Sequence, residues 1–311
     1  MKVCYLLTHN PETTGGIETV VKNLAKDSDT RAVWIGCGGF HSIIKGFFTA
    51  LRLRVSDYDI IHAHDNASYW LTWLARNKKI AWTAQGLWKN YFEENPPAGL
   101  KKSADAWVLK RMQNRIIKNS DIVIPINIEI EKELRQHYNI QPAEIIRNGV
   151  DTEKFKPLKS EKEFDYIWVS TNPKKACLAE CIKYSDGKKM LAVGVGGKDT
   201  KKIKYTKASR EAMPRIYNSA RALIYFSRQK DYSLAILEAM ACGLDIITNE
   251  SIIRELTEEG RPAGTVDLTG RMEKIIFVDG KTARKIALSM DWSVVRARYK
   301  KIHEKLVSGV K

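Results

Sequence analysis

The chain of 311 residues has no apolar run approaching the roughly 20 residues that cross a bilayer. Its first apolar stretch, Val3 to Leu7, is short and soon meets His9, Asn10 and Pro11. No signal peptide is therefore expected. These absences lead to the expectation of a cytoplasmic protein, with peripheral attachment to a membrane as a second expectation. Cysteine is sparse: Cys4, Cys37, Cys177, Cys181 and Cys242 are scattered and odd in number. That excludes a disulfide framework and predicts reduced, buried thiols. Cys177 and Cys181 are four apart, but neither a His nor a second pair accompanies them, so no metal is expected. Low-complexity tracts and short-period repeats are missing. No recognisable nucleic-acid module is present either, so no nucleic-acid partner is expected.

What is there suits a globular protein. Hydrophobic residues make up 44% and charged residues 28%. The length is comfortable for two domains, each able to bury a sizeable core. The net charge is +16, with +5 in residues 1–150 and +11 in residues 151–311. Such a balance favours anionic partners, nucleotide phosphates or anionic lipid. A Lys-rich solvated surface accounts for most of it.

Short apolar strands alternate with amphipathic helices. The pattern predicts strands over 3–7, 32–35, 60–63, 80–83, 122–125 and 143–146. Helices are predicted over 16–26, 43–53, 69–75, 107–118 and 130–137. Turn residues from Asn148 to Pro157 break the cycle. It restarts with strands over 166–169, 190–195, 222–226 and 246–248, and helices over 174–184, 215–219 and 234–241. This alternation implies parallel sheets with right-handed crossovers. Two doubly wound domains follow, 1–150 and 151–290. Residues 291–311 form a tail helix packing back toward the first domain, with Trp292, Val295, Tyr299, Ile302 and Leu306 along one face. Ligands in such sheets sit beyond the carboxyl ends of the strands. The cleft between the two domains is the expected site.

Four segments carry candidate chemistry. The first is Asp231-Tyr-Ser-Leu-Ala-Ile-Leu-Glu238-Ala-Met-Ala-Cys-Gly243, where Glu238 sits early in a helix that Gly243 ends. A carboxylate there can accept from two sugar hydroxyls, and free backbone N–H groups nearby can hold a phosphate. The second is Gly15-Gly16, which follows the first strand and lets the backbone approach a ligand. An ordinary strand-to-helix turn reads the same way. The third is Ser170-Thr171-Asn172-Pro173-Lys174-Lys175, after the first strand of the second domain. A Lys here can stabilise a diphosphate leaving group. The fourth is Met190 to Gly197, in which Gly194 and Gly196 leave room for a base or ribose or simply make a tight turn.

Taken together these segments resemble the GT-B-fold glycosyltransferases of family 4, the group 1 sugar transferases. Thr13 to Glu18 resembles their first glycine loop, and Asp59-Ile-Ile-His-Ala-His64 their strand ending in His. Asn148 to Asp151, with Phe155 and Pro157, resembles their hinge. Asp231 to Gly243 resembles their donor motif, and Asp291-Trp292 with Tyr299 their closing helix. The resemblance implies an α/β fold of GT-B type: two Rossmann-like domains with a cleft between them and a C-terminal crossing helix. It implies a retaining, metal-independent transfer, with a nucleotide-diphosphate sugar as donor substrate and no cofactor. The acceptor would be a glycan, a lipid-linked sugar or a small molecule.

The site residues follow from the same resemblance. Glu238 takes the ribose hydroxyls and Lys175 the diphosphate. Gly15, Gly16, Gln85, Thr171, Gly194, Gly196, Ser233 and Leu234 lie toward the donor. His64 and Trp88 lie on the acceptor side. The chain departs from the family in three places. Lys230 stands where the first acid of the paired-glutamate signature belongs, with Asp231 beside it as a substitute. Gln85 replaces a His, and Thr171 or Ser170 stands nearest a missing Arg. Gln can hydrogen-bond a hydroxyl but cannot take a proton. These departures keep open a non-catalytic sugar-nucleotide-binding partner subunit, and the shared two-domain architecture keeps open a sugar-nucleotide epimerase. On the acceptor side, 86–92 and 101–115 mix aromatic with basic residues. They read either as helices covering the sheet with Lys and Arg outward, or as a face toward anionic lipid.

Overall fold

A computed structural model describes the chain apart from residues 8–15, 27–28, 35–46, 49–50, 52–56, 65, 67–68, 71–77, 95, 229–232, 257–260, 268–271 and 310–311. The described residues form two units, Met1–Arg147 with Val295–Lys311, and Asn148–Val294.

Unit 1 is organised by strands that are apolar on both faces, as strands covered by helices on either side must be. β1 (Val3–Leu7), β3 (Ile60–His64) and β4 (Lys79–Ala84) are buried almost throughout. With β2 (Thr30–Trp34) and β5 (Ile122–Pro125) they make a parallel sheet in the order β2-β1-β3-β4-β5. Among the described helices, α1 (Gly16–Leu24) follows β1, and α2 (Trp88–Glu94) and α3 (Leu100–Asn119) lie between β4 and β5. α4 (Ile128–Tyr138) follows β5, capped by the Asn127 side chain, which accepts from Ile130 N at 2.8 Å. The sheet core runs from Cys4 and Leu6 through Ile61 and Trp82 to Ile116 and Leu134.

The stretch 143–146 is not a strand. Ala143 N and Ile146 N donate to Val123 and Pro125 carbonyls at 2.8 and 3.0 Å. The segment lies along β5 without forming a continuous ladder, and no strand follows it in unit 1. Helix 107–118 extends back to Leu100, and the expected helices over 43–53 and 69–75 fall largely outside the described residues.

Unit 2 carries a seven-stranded sheet, order β11-β12-β10-β9-β6-β7-β8. β6 (Phe164–Val169), β7 (Met190–Val193), β8 (Ile203–Thr206), β9 (Ala220–Tyr225) and β10 (Asp245–Asn249) are parallel. β11 (Arg261–Asp267) and β12 (Met272–Val278) form an antiparallel hairpin added to β10. This corrects the expectation of wholly parallel sheets, because a hairpin needs only a short turn whereas a parallel strand needs a crossover. The helices are α5 (Leu178–Tyr184), α6 (Met213–Asn218), α7 (Leu234–Ala241), α8 (Glu250–Leu256) and α9 (Gly280–Ser289). α7 is buried along most of its length, consistent with its nearly all-apolar sequence.

α5 begins at Leu178 rather than 174, because the chain passes through a turn after Pro173 and Cys177 has φ 45°. Gly243, with φ 74°, ends α7 as expected. The tail helix α10 (Trp292–Ser308) starts in unit 2, where Trp292 N donates to Val150 O at 3.1 Å. From Val295 it belongs to unit 1, with Tyr299, Ile302 and His303 buried. Cys4, Cys177, Cys181 and Cys242 are buried free thiols, and Cys37 lies outside the described residues. No described helix is long and apolar enough to cross a membrane.

Candidate active site

In unit 2 the connections leave β6 and β9 in opposite lateral directions, which opens a crevice at their carboxyl ends. The segment after β6 is folded on itself there. Asn172 N donates to Ser170 Oγ at 3.1 Å, and Lys175 N to Asn172 Oδ1 at 3.0 Å. After β9, Arg228 N reaches Lys175 O at 3.3 Å, so the two sides of the crevice are joined. The Arg228 guanidinium also pairs with Glu180 at 2.9 Å. Lys175 is half-buried and Thr171 exposed on this edge.

Gly194 ends β7 with φ 97°, and a Cβ there would stand 2.7 Å from the Ser170 carbonyl oxygen. The turn therefore requires glycine for the protein's own backbone. At Gly196 a Cβ would meet nothing within 4 Å, which leaves that position open to a ligand.

Glu238 lies midway along α7 and is only 6% exposed. Burial pushes its pKa up, because a carboxylate loses hydration there. Arg210 opposes this: its Nη2 donates to Oε1 at 2.8 Å. Tyr217 OH donates to Oε2 at 3.0 Å. Each carboxylate oxygen keeps a further lone pair. At the start of α7, Ser233 Oγ accepts from Ala235 N at 3.2 Å. Leu234 is the first helical residue and half-buried.

Unit 1 places its candidates at the carboxyl ends of β3 and β4. His62 and His64 share one face of β3 and stack at 4.9 Å between centroids. Thr83 Oγ1 donates to Tyr299 OH at 3.3 Å, so it accepts from His62 Nε2 at 2.8 Å. His62 Nδ1 then accepts from His303 Nε2 at 2.9 Å. Burial first, and then mutual repulsion, hold His62 well below the usual imidazole range. The same effects lower His64 to about 3. Burial brings His303 to about 4. All three are neutral at physiological pH.

Gln85 Nε2 approaches His64 Nδ1 at 3.4 Å, which leaves the proton on His64 Nε2. Among the described residues that atom is buried without a partner, as are Asn66 Oδ1 and Trp88 Nε1. Two donors and one acceptor thus stand unsatisfied near the sheet's carboxyl edge, where a hydroxyl-rich ligand could pair with them. The turn that carries Trp88 is clamped by buried Gln113, which donates to Gly86 O at 3.0 Å and accepts from Trp88 N at 2.8 Å. Trp88 stacks on Phe92 at 5.5 Å.

The structure therefore places Thr171, Lys175, Gly194, Gly196, Ser233 and Leu234 in the segments that follow β6, β7 and β9 in unit 2, with Glu238 one turn into α7 from Leu234. It gathers Gln85, His64 and Trp88 on one edge of unit 1. Gly16 opens α1, with no atom within 4 Å of an added Cβ among the described residues. Gly15, Lys230 and Asp231 lie outside the described residues. Sequence reading missed Arg210, Tyr217, Gln113 and Asn66. A buried Glu238 demands a cation and a donor, but nothing local singles out Arg210 among the many basic residues. No described group of three or more His, Cys, Asp or Glu is placed to hold a metal.

Comparison with known proteins agrees with this layout. The family described as Glycosyltransferase Family 4 matches residues 30–154, and Glycosyl transferases group 1 matches residues 153–277. Sucrose-phosphate synthase from Thermosynechococcus elongatus is similar in structure, with a TM-score of 0.74, 15% identity and 99% of each chain covered. WaaG, a glycosyltransferase involved in lipopolysaccharide biosynthesis, is similar at a TM-score of 0.62 and 10% identity, with 99% of each chain covered. The pneumococcal O-GlcNAc transferase GtfA matches at a TM-score of 0.57 and 15% identity, over 87% of this chain and 61% of that one. At such identities the structural likeness speaks for the fold. No curated protein matches the chain by sequence. The structural likeness gives the GT-B fold, and with the two family matches running end to end over residues 30–277 the protein belongs to the group 1 glycosyltransferases of family 4.

Proposed function

We propose that the chain transfers a hexose from a nucleotide-diphosphate sugar to a glycan, lipid-linked or small-molecule acceptor, without a metal and with retention at the anomeric carbon. The observation that carries this reading is Glu238, a buried carboxyl group hydrogen-bonded by Arg210 at the edge where unit 2 would meet a ribose. Its remaining lone pairs accept the two ribose hydroxyls. Backbone N–H groups at Ser233 and Leu234, and the Lys175 ammonium, face the diphosphate and stabilise the charge that develops as it leaves. Thr171 and the open space at Gly196 border the same ligand.

In unit 1, Gly15, Gly16 and Gln85 are assigned to sugar hydroxyls, and His64 and Trp88 to the acceptor. Gln85 cannot act as a base, and His64 is neutral with a pKa near 3, so neither takes a proton readily. The leaving phosphate is then the base for the acceptor hydroxyl. Lys230 and Asp231 are assigned to the transferred sugar, where a cation suits a carboxylated or phosphorylated donor. Such a reaction belongs in cytoplasmic glycan assembly.

The test is turnover of a panel of nucleotide sugars by native protein and Glu238→Ala, with the product anomer read by NMR. Transfer with retention, and loss of nucleotide affinity in the variant, are expected. An inverted product or unaltered affinity would overturn the mechanism. The replacement at Gln85 gives weight to a second reading, a nucleotide-sugar-binding subunit without activity. Calorimetric binding with no turnover on any donor would select it.

A further inference from the structure

We propose that Arg228 is a positioning residue for Lys175, fixing the lysine's segment in the crevice of unit 2. This role rests on Lys175 being the cation that meets the diphosphate. The segment 170–177 joins β6 to α5 and has no ladder or helix of its own to hold it. Residues 171–174 are exposed and Lys175 is half-buried. A cation that stabilises developing charge works best when it is fixed beforehand, so that nothing reorganises at the moment of reaction.

The fixed points of the segment are backbone carbonyls. Ala176 O accepts from the buried Trp168 Nε1 at 2.8 Å. Lys175 O accepts from Arg228 N at 3.3 Å and from Cys177 Sγ at 3.7 Å. Cys177 itself has φ 45°, a conformation disfavoured for any residue with a side chain. Such a turn persists only where its neighbours hold it.

Arg228 is the neighbour placed to do so. It follows β9, on the other side of the crevice, and is half-buried. Its Nη2 donates to Glu180 Oε1 at 2.9 Å. The guanidinium also hydrogen-bonds Cys177 Sγ. With its backbone bond to Lys175, one residue thus grips 175, 177 and 180, the whole passage from the lysine into α5. A planar fork suits that span, whereas an ammonium is a single point. The pairing also neutralises Glu180, the acid in the first turn of α5. An unpaired carboxylate there would repel a diphosphate.

The test is calorimetric titration of the full chain with UDP, ADP and GDP, over a cycle of Lys175→Met, Arg228→Leu and the double variant. Each single change should weaken the nucleotide that binds roughly tenfold, the scale of one charge-assisted hydrogen bond. The double variant should bind no more weakly than Lys175→Met, because Arg228 acts through the lysine. Arg228→Lys keeps the charge without the fork and should bind like Arg228→Leu. Losses that multiply to about a hundredfold would overturn the proposal, since independent sites add in free energy. So would native affinity in Arg228→Leu or full recovery in Arg228→Lys. Thermal unfolding checks that each variant is folded. If Arg228→Leu is not, Arg228→Lys with and without Lys175→Met supplies the cycle. Native protein that binds none of the three nucleotides would sink the reading of Lys175 and this role together, whereas binding with multiplying losses sinks the role of Arg228 alone.

Discussion

His303 on α10 and His62 on β3 are joined by a 2.9 Å hydrogen bond between two neutral, fully enclosed imidazoles. They are 241 residues apart in sequence. The tail thus completes the polar interior of unit 1: His303 to His62 to Thr83 to Tyr299, with Tyr5 packed against all three histidine rings.

That arrangement predicts acid sensitivity. Folding lowers the pKa of His62, His64 and His303 below the ordinary 6.5. Their contribution is therefore fully present above about pH 6.5 and is lost as pH falls, when the unfolded chain takes up protons that the folded chain refuses. Each group adds about 1.4 kcal/mol per pH unit over the window between its unfolded and folded values. Urea unfolding between pH 7.5 and 5 should show a steep fall, made shallower by about one group's share in His303→Leu. A flat profile would contradict the assignment of neutral rings.

The pair Arg210–Glu238 yields a second expectation. Arg210→Leu leaves a buried carboxylate without its cation and should cost about 1–3 kcal/mol, kept modest because the guanidinium is partly solvated. Tyr217→Phe removes one donor and should cost about 1–2 kcal/mol. Both should weaken binding of a nucleoside diphosphate measured by calorimetry. Unchanged affinity in both would separate Glu238 from the ligand.

The glycines after β7 should behave differently from each other. Gly194→Ala meets both the positive φ and the Ser170 carbonyl, and should cost about 2 kcal/mol or more in thermal unfolding. Gly196→Ala has open space and should leave stability unchanged while raising KM for the donor. Equal melting temperatures for the two variants would count against this distinction.

Asp291 makes a fourth case. It accepts from Thr152 Oγ1 at 2.7 Å and from Ser293 N at 2.8 Å, and its pKa is lowered to about 2. These hydrogen bonds lower the pKa more than burial raises it. The stability it adds is present above about pH 4 and is lost as pH falls toward 2. Asp291→Ala should cost about 1 kcal/mol at neutral pH and little at pH 2, as read by denaturant titration.

Much of this was legible in the residues. Alternating apolar strands and amphipathic helices gave the two doubly wound sheets, because burial on both faces leaves a continuous apolar run such as Val3–Leu7. The helix Leu234–Ala241 and its end at Gly243 were legible from the flanking residues. The hairpin β11–β12 was not, although Leu268-Thr269-Gly270 between two extended runs is a turn signal. The partners of Glu238 were beyond reach. Arg210 precedes it by 28 residues on a different element, and only the folded sheet brings them together. Gln113 is similar: within a helical repeat it looks like one more polar residue, yet it clamps a turn 25 residues away.

The buried cysteines offer a different use of the fold. Burial lifts Cys4 and Cys242 to about 12 and raises Cys181 well above its ordinary value. Thiolate is the species that alkylating reagents attack, so in the native state these positions are chemically silent. Each becomes reactive only when its surroundings open. Cys4 therefore reports excursions of unit 1, and Cys181 and Cys242 those of unit 2. Mass-resolved alkylation over time would turn these three native thiols into separate clocks for the breathing of each half, without a single engineered label.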